Sequence, residues 1–261
     1  MWAPPMATEG KYIYCIISSS VESSFGPLGI GPNQDEVTTV GYGDLAMVIS
    51  NHPLGRIEIS KENLLGHERV VEEVMKEFPA VLPVRFGTIA ASADEIRNLL
   101  DRRYREFRDL LAEMEYKVEW GVKGTWIKMS RIYEEILVEN PSIRSLKRSL
   151  EEHPEAATDK ACEEAGYLVA QALEKKKEEE RECVLETLRE AAYDVQLSPK
   201  ISDEMFINAS FLVDRGREME FDNLMEELDR DFKGRARFLY TGPLPPYNFV
   251  HISIFPEPWE V

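Results

Sequence analysis

Early in the chain the pattern of apolar positions is that of a strand covered on both faces. Lys11–Ser18 (KYIYCIIS) is apolar at consecutive positions rather than at every second one, which predicts a central strand. Ser18 to Gln34 is dense in Ser, Gly and Pro, including FGPLGIGPNQ, and reads as a loop. Glu36–Val40 and Asp44–Ser50 are two short strand candidates, and the Gly41-Tyr42-Gly43 turn between them predicts a hairpin. Ser60 suits the N-cap of a helix running through Phe78, with Leu64, Val71, Val74, Met75 and Phe78 at helical spacing and Pro79 as its stop. Ala80–Thr88 is the next strand, and Pro83 confines it to an edge or a bulge. Ser92-Ala-Asp-Glu95 is a capping box. The helix it opens carries one stripe through Ile96, Leu99, Leu100, Tyr104, Phe107, Leu111 and Met114.

Tyr116–Lys123 alternates: Tyr116, Val118, Trp120 and Val122 point one way, Lys117, Glu119 and Lys123 the other. This predicts a half-buried strand opening a second domain. Trp126–Val138 reads as a helix stopped by Asn140-Pro141, Ser142–Glu152 as a short amphipathic helix, and His153-Pro154 as a break. Thr158 then caps a long helix to about Val195, apolar at its ends and charged throughout Glu174–Glu182. That middle reads as standing in solvent or marking a bend, with a partner-binding rod as the alternative. Met205–Asp214 is a strand, Phe221, Leu224, Leu228 and Phe232 stripe a helix, Arg235–Thr241 is a strand, and Asn248–Phe255 is a further extended apolar run.

Without its inserted helices the second half follows a βαββαβ, ferredoxin-like order. The expected fold class is α+β in two domains, the C-terminal one a modified ferredoxin-like fold with inserted helices. The expected divisions are an N-terminal α+β domain over 1–115, the ferredoxin-like domain over 116–241 with a helical extension over about 125–195, and a tail over 242–261 packing across the domains.

Composition narrows the function classes. An apolar share of 43% and an aromatic share of 10% suffice for a real core. The 48 acidic residues outnumber 31 basic ones for a net charge of -17. Phosphate backbones and anionic membrane surfaces repel such a chain, so nucleic-acid and membrane partners are not expected. Cys15, Cys162 and Cys183 are too few and too far apart for a disulfide framework or a zinc ribbon, which fits a reducing cytoplasm. MWAPPMATEG has no basic start and no long apolar run, so it does not read as a signal peptide.

No P-loop, GxSxG, HExxH or dinucleotide glycine motif is present. The four histidines, His52, His67, His153 and His251, share no metal-ligand spacing. His67 falls on the apolar face of its helix and reads as a hydrogen-bonded core histidine. No catalytic residue, cofactor or metal is expected. A site assembled from distant residues, in an enzyme or a ligand-sensing ferredoxin-like domain, is the alternative class.

Two segments stand apart as candidate protein contacts. In PAVLPVRFG (Pro79–Gly87), Arg85 and Phe86 lie amid apolar residues. An arginine paired with an acidic neighbour at a sheet edge is the commoner arrangement, and an interface arginine is the functional one. In TGPLPPYNFV (Thr241–Val250), Pro243, Pro245, Pro246, Tyr247 and Phe249 form a stiffened aromatic strip. It suits a tail packed back on the protein, or a docking strip for another polypeptide.

At these segments the chain resembles the gas vesicle protein family GvpL/GvpF. The matching pieces are Tyr12-Ile-Tyr14, His67-Glu68 with the LPVRFGT run (Leu82–Thr88), EWGVK (Glu119–Lys123) and TGPLPPYNFV, in order along nearly the whole chain. The resemblance implies two α+β domains, the second a modified ferredoxin-like fold, and a minor accessory component of gas vesicle formation. It also implies contacts with the small hydrophobic shell protein and other accessory proteins, and neither catalysis nor a cofactor. An acidic, soluble partner of an aggregation-prone shell subunit is the mechanism that follows.

Overall fold

The structure is a computed structural model that describes residues 9–31, 34–152, 158–252 and 254. The His153-Pro154 break, and the start and end of the chain, lie outside the described residues. The chain clusters into two compact units, one of residues 1–119 with 242–261, the other of residues 120–241.

In the first unit the doubly apolar run forms β1 (Glu9–Ser18), and every residue of Tyr12–Ile17 is fully buried. It lies inside a sheet of order β2-β3-β4-β1-β5, built with β2 (Ser24–Gly26), β3 (Val37–Tyr42), β4 (Leu45–Pro53) and β5 (Val81–Pro83). A further two-residue strand, β6 (Ile89–Ala90), also pairs with β1. The pairings of β1 with β4, β5 and β6 are antiparallel. The β1–β4 register slips by one between Ile13 and Cys15. Such a bulge exchanges the two faces of a strand, and Tyr12, Tyr14, Cys15 and Ile17 accordingly all join one cluster with Val70, Val71 and Val74.

Those valines belong to α1 (Lys61–Glu77), capped by Ser60, whose hydroxyl accepts from the Asn63 amide. Leu64, expected inside, is instead exposed: the buried stripe runs through His67, Val70, Val71 and Val74. The hairpin turns at Gly43-Asp44, one step later than expected, because Tyr42 pairs with Leu45 and Gly43 adopts φ +64°. Ser24–Gly26, expected as loop, makes a short edge strand on β3. Pro83 sits on edge strand β5, as its missing amide requires, but the strand expected through Thr88 ends there and turns before β6.

The single helix expected after Ser92 is two, α2 (Ala93–Arg102) and α3 (Tyr104–Glu113), broken where Arg103 leaves helical geometry at φ -109°, ψ 21°. The break leaves the stripe intact: Ile96, Leu100, Phe107, Leu111 and Met114 are all buried. At the α2 start, the Ser92 hydroxyl accepts from the Glu95 amide, and the Glu95 carboxylate accepts from the amide of Ala91 rather than that of Ser92.

The second unit is built on a sheet of order β10-β7-β9-β8, from β7 (Lys117–Trp126), β8 (Ala192–Leu197), β9 (Met205–Asp214) and β10 (Ala236–Leu244), the last passing into the first unit. Trp126, expected in a helix, ends β7, and the helix that follows is α4 (Met129–Glu139). Next come α5 (Pro141–Glu152) and α6 (Asp159–Arg189), which stops short of the expected Val195 because residues 192–197 form β8. Between β9 and β10 lies α7 (Glu218–Asp231). Tyr116, expected in line with Val118, precedes β7 with φ +55° and is exposed.

The charged middle of α6 stands only partly in solvent: Glu174, Lys175, Glu178 and Glu179 are exposed, but the two lysines that follow Lys175 are not. Lys176 and Lys177 are 8% and 3% exposed. Lys176 Nζ lies 2.7 Å from Glu139 and 3.2 Å from Glu135, and Lys177 Nζ lies 2.9 Å from Glu174. Glu180 accepts from the Trp126 indole N–H and binds Arg235, whose other edge is bidentate to Glu135. The lysine stems supply the apolar cover that the sequence lacks here, and the carboxylates meet their charged ends. The Glu135 and Glu180 carboxylates hold the Arg235 guanidinium above its ordinary range, with desolvation acting against them, and hydrogen bonding to Arg235 pulls the Glu135 carboxyl below its own.

Arg235→Met leaves Glu135 and Glu180 facing each other across a partly buried space. It is expected to cost about 1–3 kcal/mol, a range already reduced for solvent screening. Lys175→Ala, which removes a pair exposed on both sides, is expected to cost less than about 0.5 kcal/mol. Urea unfolding of both variants checks the contrast.

Candidate functional site: a histidine core closed by the C-terminal segment

A strand buried on both faces can carry tyrosines only if each hydroxyl finds a partner. Tyr14 Oη accepts from the Ile30 amide at 2.9 Å and lies 2.9 Å from Ser50 Oγ, to which its own proton is then directed. Tyr12 Oη accepts from the Gly87 amide at 3.1 Å and sits 2.7 Å from His67 Nδ1. With the oxygen already accepting, its proton points to Nδ1, which assigns the ring proton of a neutral histidine to Nε2. Burial drives the His67 pKa down to about 4, against a smaller opposing effect of the Val84 backbone. Burial likewise raises the Tyr12 and Tyr14 phenols and the Cys15 thiol.

The turn that delivers the Gly87 amide needs that glycine, whose φ is +88°. It is tied down by Thr88 Oγ1 donating to the Arg85 carbonyl at 2.7 Å and by the Ile13 amide donating to the Thr88 carbonyl at 2.9 Å. Around the His67 ring stand Tyr14 at 5.5 Å between centroids, Tyr12 at 5.6 Å, Phe86 at 5.8 Å and Tyr247 at 6.4 Å.

Tyr247 arrives on the C-terminal segment, which turns tightly after β10: the Tyr247 amide donates to the Pro245 carbonyl, and the Phe249 and Val250 amides to that of Pro246. A buried carboxylate fixes this turn. Glu119 is 3% exposed, and it accepts from the Asn248 amide at 2.9 Å and from the Asn248 side chain at 2.5 Å. The strict alternation of residues 116–123 put Glu119 on the solvent side, which the structure overturns. Nothing local marks Glu119 as buried, because its partner is 129 residues away.

Of the candidate contact residues, Phe86 and Tyr247 come together on His67, Pro245 and Pro246 are buried, and Phe249 is half-buried. Arg85 and Pro243 stay outside this cluster and are exposed. Arg85 makes no ion pair with any described residue, so the acidic neighbour expected for it is not there. His67 is the hydrogen-bonded core histidine that its helix face predicts. Tyr12 and Asn248, the partners that organise the cluster, stand in the motifs that carry the family resemblance but were not among the candidate contact residues.

Chemically this is an enclosed lock rather than an open centre. Three grooves of the first unit are lined by other residues, around Tyr42 and Tyr104, Asp44 and Arg108, and Leu28 and Leu65. Among the described residues no group of three or more His, Cys, Asp or Glu side chains could hold a metal ion. No helix among them is long and apolar enough to cross a membrane.

Two sheets with helices inserted between their strands, and a core on which Phe86 and the returning Tyr247 pack, define a mixed α/β protein. The model of the family "Gas vesicle synthesis protein GvpL/GvpF" matches residues 10–251, and the chain belongs to that family. A gas vesicle protein F from a Streptomyces species is 30% identical over 243 residues, covering 92% of this chain and 98% of that one. Gas vesicle protein F1 of Halobacterium salinarum is 27% identical over 96% of this chain and 97% of its own length. The crystal structure of GvpF from an Anabaena species superposes with a TM-score of 0.81 at 24% identity, covering 94% of this chain and 99% of that one. GvpF from Microcystis aeruginosa gives 0.79 at 22%, over 93% and 99%. The resemblance read from the four scattered motifs is thereby borne out, and the same motifs supply Tyr12, Tyr14, His67, Phe86, Gly87, Glu119, Tyr247 and Asn248 to one cluster.

Tyr12→Phe strands the Gly87 amide and His67 Nδ1, and is expected to cost about 1–3 kcal/mol. For His67 the folded pKa lies below the unfolded value, so the unfolded chain binds the extra proton between about pH 6.5 and 4. Stability from this residue is full above that window and falls by about 3 kcal/mol as pH drops through it. His67→Asn keeps an acceptor for Tyr12 without titrating, so the difference between its urea-unfolding pH profile and that of the parent chain should show this slope. Glu119→Ala is expected to expose the turn at residues 245–250 to limited proteolysis at a rate well above that of the parent chain.

Proposed function

We propose that this chain is an accessory or minor structural protein of gas vesicle formation, acting at the gas vesicle by binding other polypeptides. Its partners in this reading are the small hydrophobic shell protein and other gas vesicle accessory proteins, and it keeps shell subunits from aggregating before they assemble. It is not an enzyme in this reading. The observation that carries the proposal is family membership across residues 10–251. Three features support it: a net charge of -17 that keeps a complex soluble, a histidine core in which the Tyr12 and Tyr14 hydroxyls and His67 Nδ1 are hydrogen-bonded within the fold, and exposed apolar side chains at Leu54, Ile59, Leu64 and Leu65. Arg85, exposed beside half-buried Phe86, and exposed Pro243 remain contact candidates, whereas Pro245, Pro246 and Tyr247 have structural work in the lock.

The same reading takes the second unit as a modified ferredoxin-like domain. Its support is the strand order β10-β7-β9-β8, in which the chain's first and third strands of the unit are central, with α4–α6 and α7 in the two crossovers. The division near residue 119, with the C-terminal segment returning to the first unit, follows the clustering of the chain.

Co-expression of the shell protein with and without this chain tests the function. More soluble shell protein in its presence is the expected outcome, and equal insolubility in both cultures removes the holding role.

A further inference from the structure

Beside the edge strand β10 the second unit carries a groove of about 630 Å³ lined by Asp222, Met225, Glu226, Asp229, Arg230, Phe238 and Tyr240. One wall is α7, where Asp222, Glu226 and Asp229 recur at i, i+4 and i+7 and so share a helix face. The apolar lining is Met225 with the rings of Phe238 and Tyr240. Tyr240 is held in place: its ring stacks on Trp120 at 4.5 Å and 17°, and its hydroxyl donates to Asp222 at 2.6 Å. The sole cation of the lining, Arg230, turns its Nε to the Glu226 carbonyl at 3.3 Å rather than to a groove carboxylate. The other wall is β10 itself, which ends the sheet order, so among the described residues no strand pairs with its outer side. Leu239 on that strand is 57% exposed.

An acidic helix face, aromatic rings and an open row of backbone donors and acceptors together select one kind of occupant. Carboxylates and ring faces attract ammonium or guanidinium groups. The strand edge pairs with extended backbone, and alternate side chains of an added strand fall towards the helix. We propose that this groove docks an extended segment of a partner protein, alternating basic and apolar residues, as a further strand alongside β10. The inference rests on the reading that the chain grips other polypeptides, and adds the surface and the chemistry of the segment gripped.

The test uses the full chain and a labelled, acetylated peptide of about ten residues alternating lysine with valine. A second peptide replaces each lysine by glutamate. Fluorescence anisotropy is expected to show salt-weakened binding of the lysine peptide and none of the glutamate peptide. The double variant Glu226→Lys with Asp229→Lys, both positions exposed, is expected to bind roughly tenfold more weakly or worse, with an unchanged thermal midpoint showing that it is folded. Hydrogen exchange should slow at residues 237–241 when the peptide is bound. Absence of binding, equal binding of both peptides, equal binding by the variant, or exchange unchanged in β10 would each overturn the proposal. Loss of shell-protein solubilisation by the parent chain in co-expression would strike the functional reading instead, because the peptide assay does not involve the shell protein.

Discussion

A buried strand with two phenols is the constraint on which the first unit depends. Tyr12 and Tyr14 are fully buried on β1, and an unsatisfied hydroxyl there would cost as much as several good packing contacts return. Each oxygen therefore recruits a backbone amide from a distant turn, Ile30 for one and Gly87 for the other, together with a side chain, Ser50 or His67. These four partners fix the loop before β3, the turn after β5, and the rotation of α1. The glycine at 87, the neutral state of His67 and the placement of Phe86 are consequences of the same requirement.

The second unit meets a different problem, and solves it with charge. The run of residues 174–182 in α6 offers almost no apolar side chain to its surroundings. Lys176 and Lys177 bury their stems, and Glu135, Glu139 and Glu174 complete their charges. Arg235 joins α4 and α6 through Glu135 and Glu180. A network of this sort contributes specificity of position more than raw stability, since desolvation offsets much of the attraction.

The family's marked segments take on a physical meaning in this arrangement. Read along the chain they are scattered, and Arg85, Phe86 and the proline-rich strip look like contact residues. In space most of them face one another, and the C-terminal segment is held to the first unit by Glu119 and Asn248. The exposed features lie elsewhere: the apolar side chains near the start of α1, Arg85 at its turn, and the groove along β10.

Local pattern determined a good deal of this protein. The doubly apolar β1, the Ser60 and Ser92 caps, the confinement of Pro83 to an edge and the core position of His67 all follow from side-chain spacing and backbone chemistry within a few residues. So did the family, because four ordered motifs survive in a single sequence. Tertiary structure alone decided the burial of Glu119, the packing of Lys176 and Lys177, and the end of α6 at Arg189. It also decided the split at Arg103 and the exposure of Leu64. The physical reason is common to the buried charges: a carboxylate or ammonium reads as solvent-facing until its surroundings are known, and the partners of Glu119 and Lys176 lie on other elements, up to 129 residues away. Periodicity records which positions can be apolar; only the folded chain brings together the groups that let polar ones be buried.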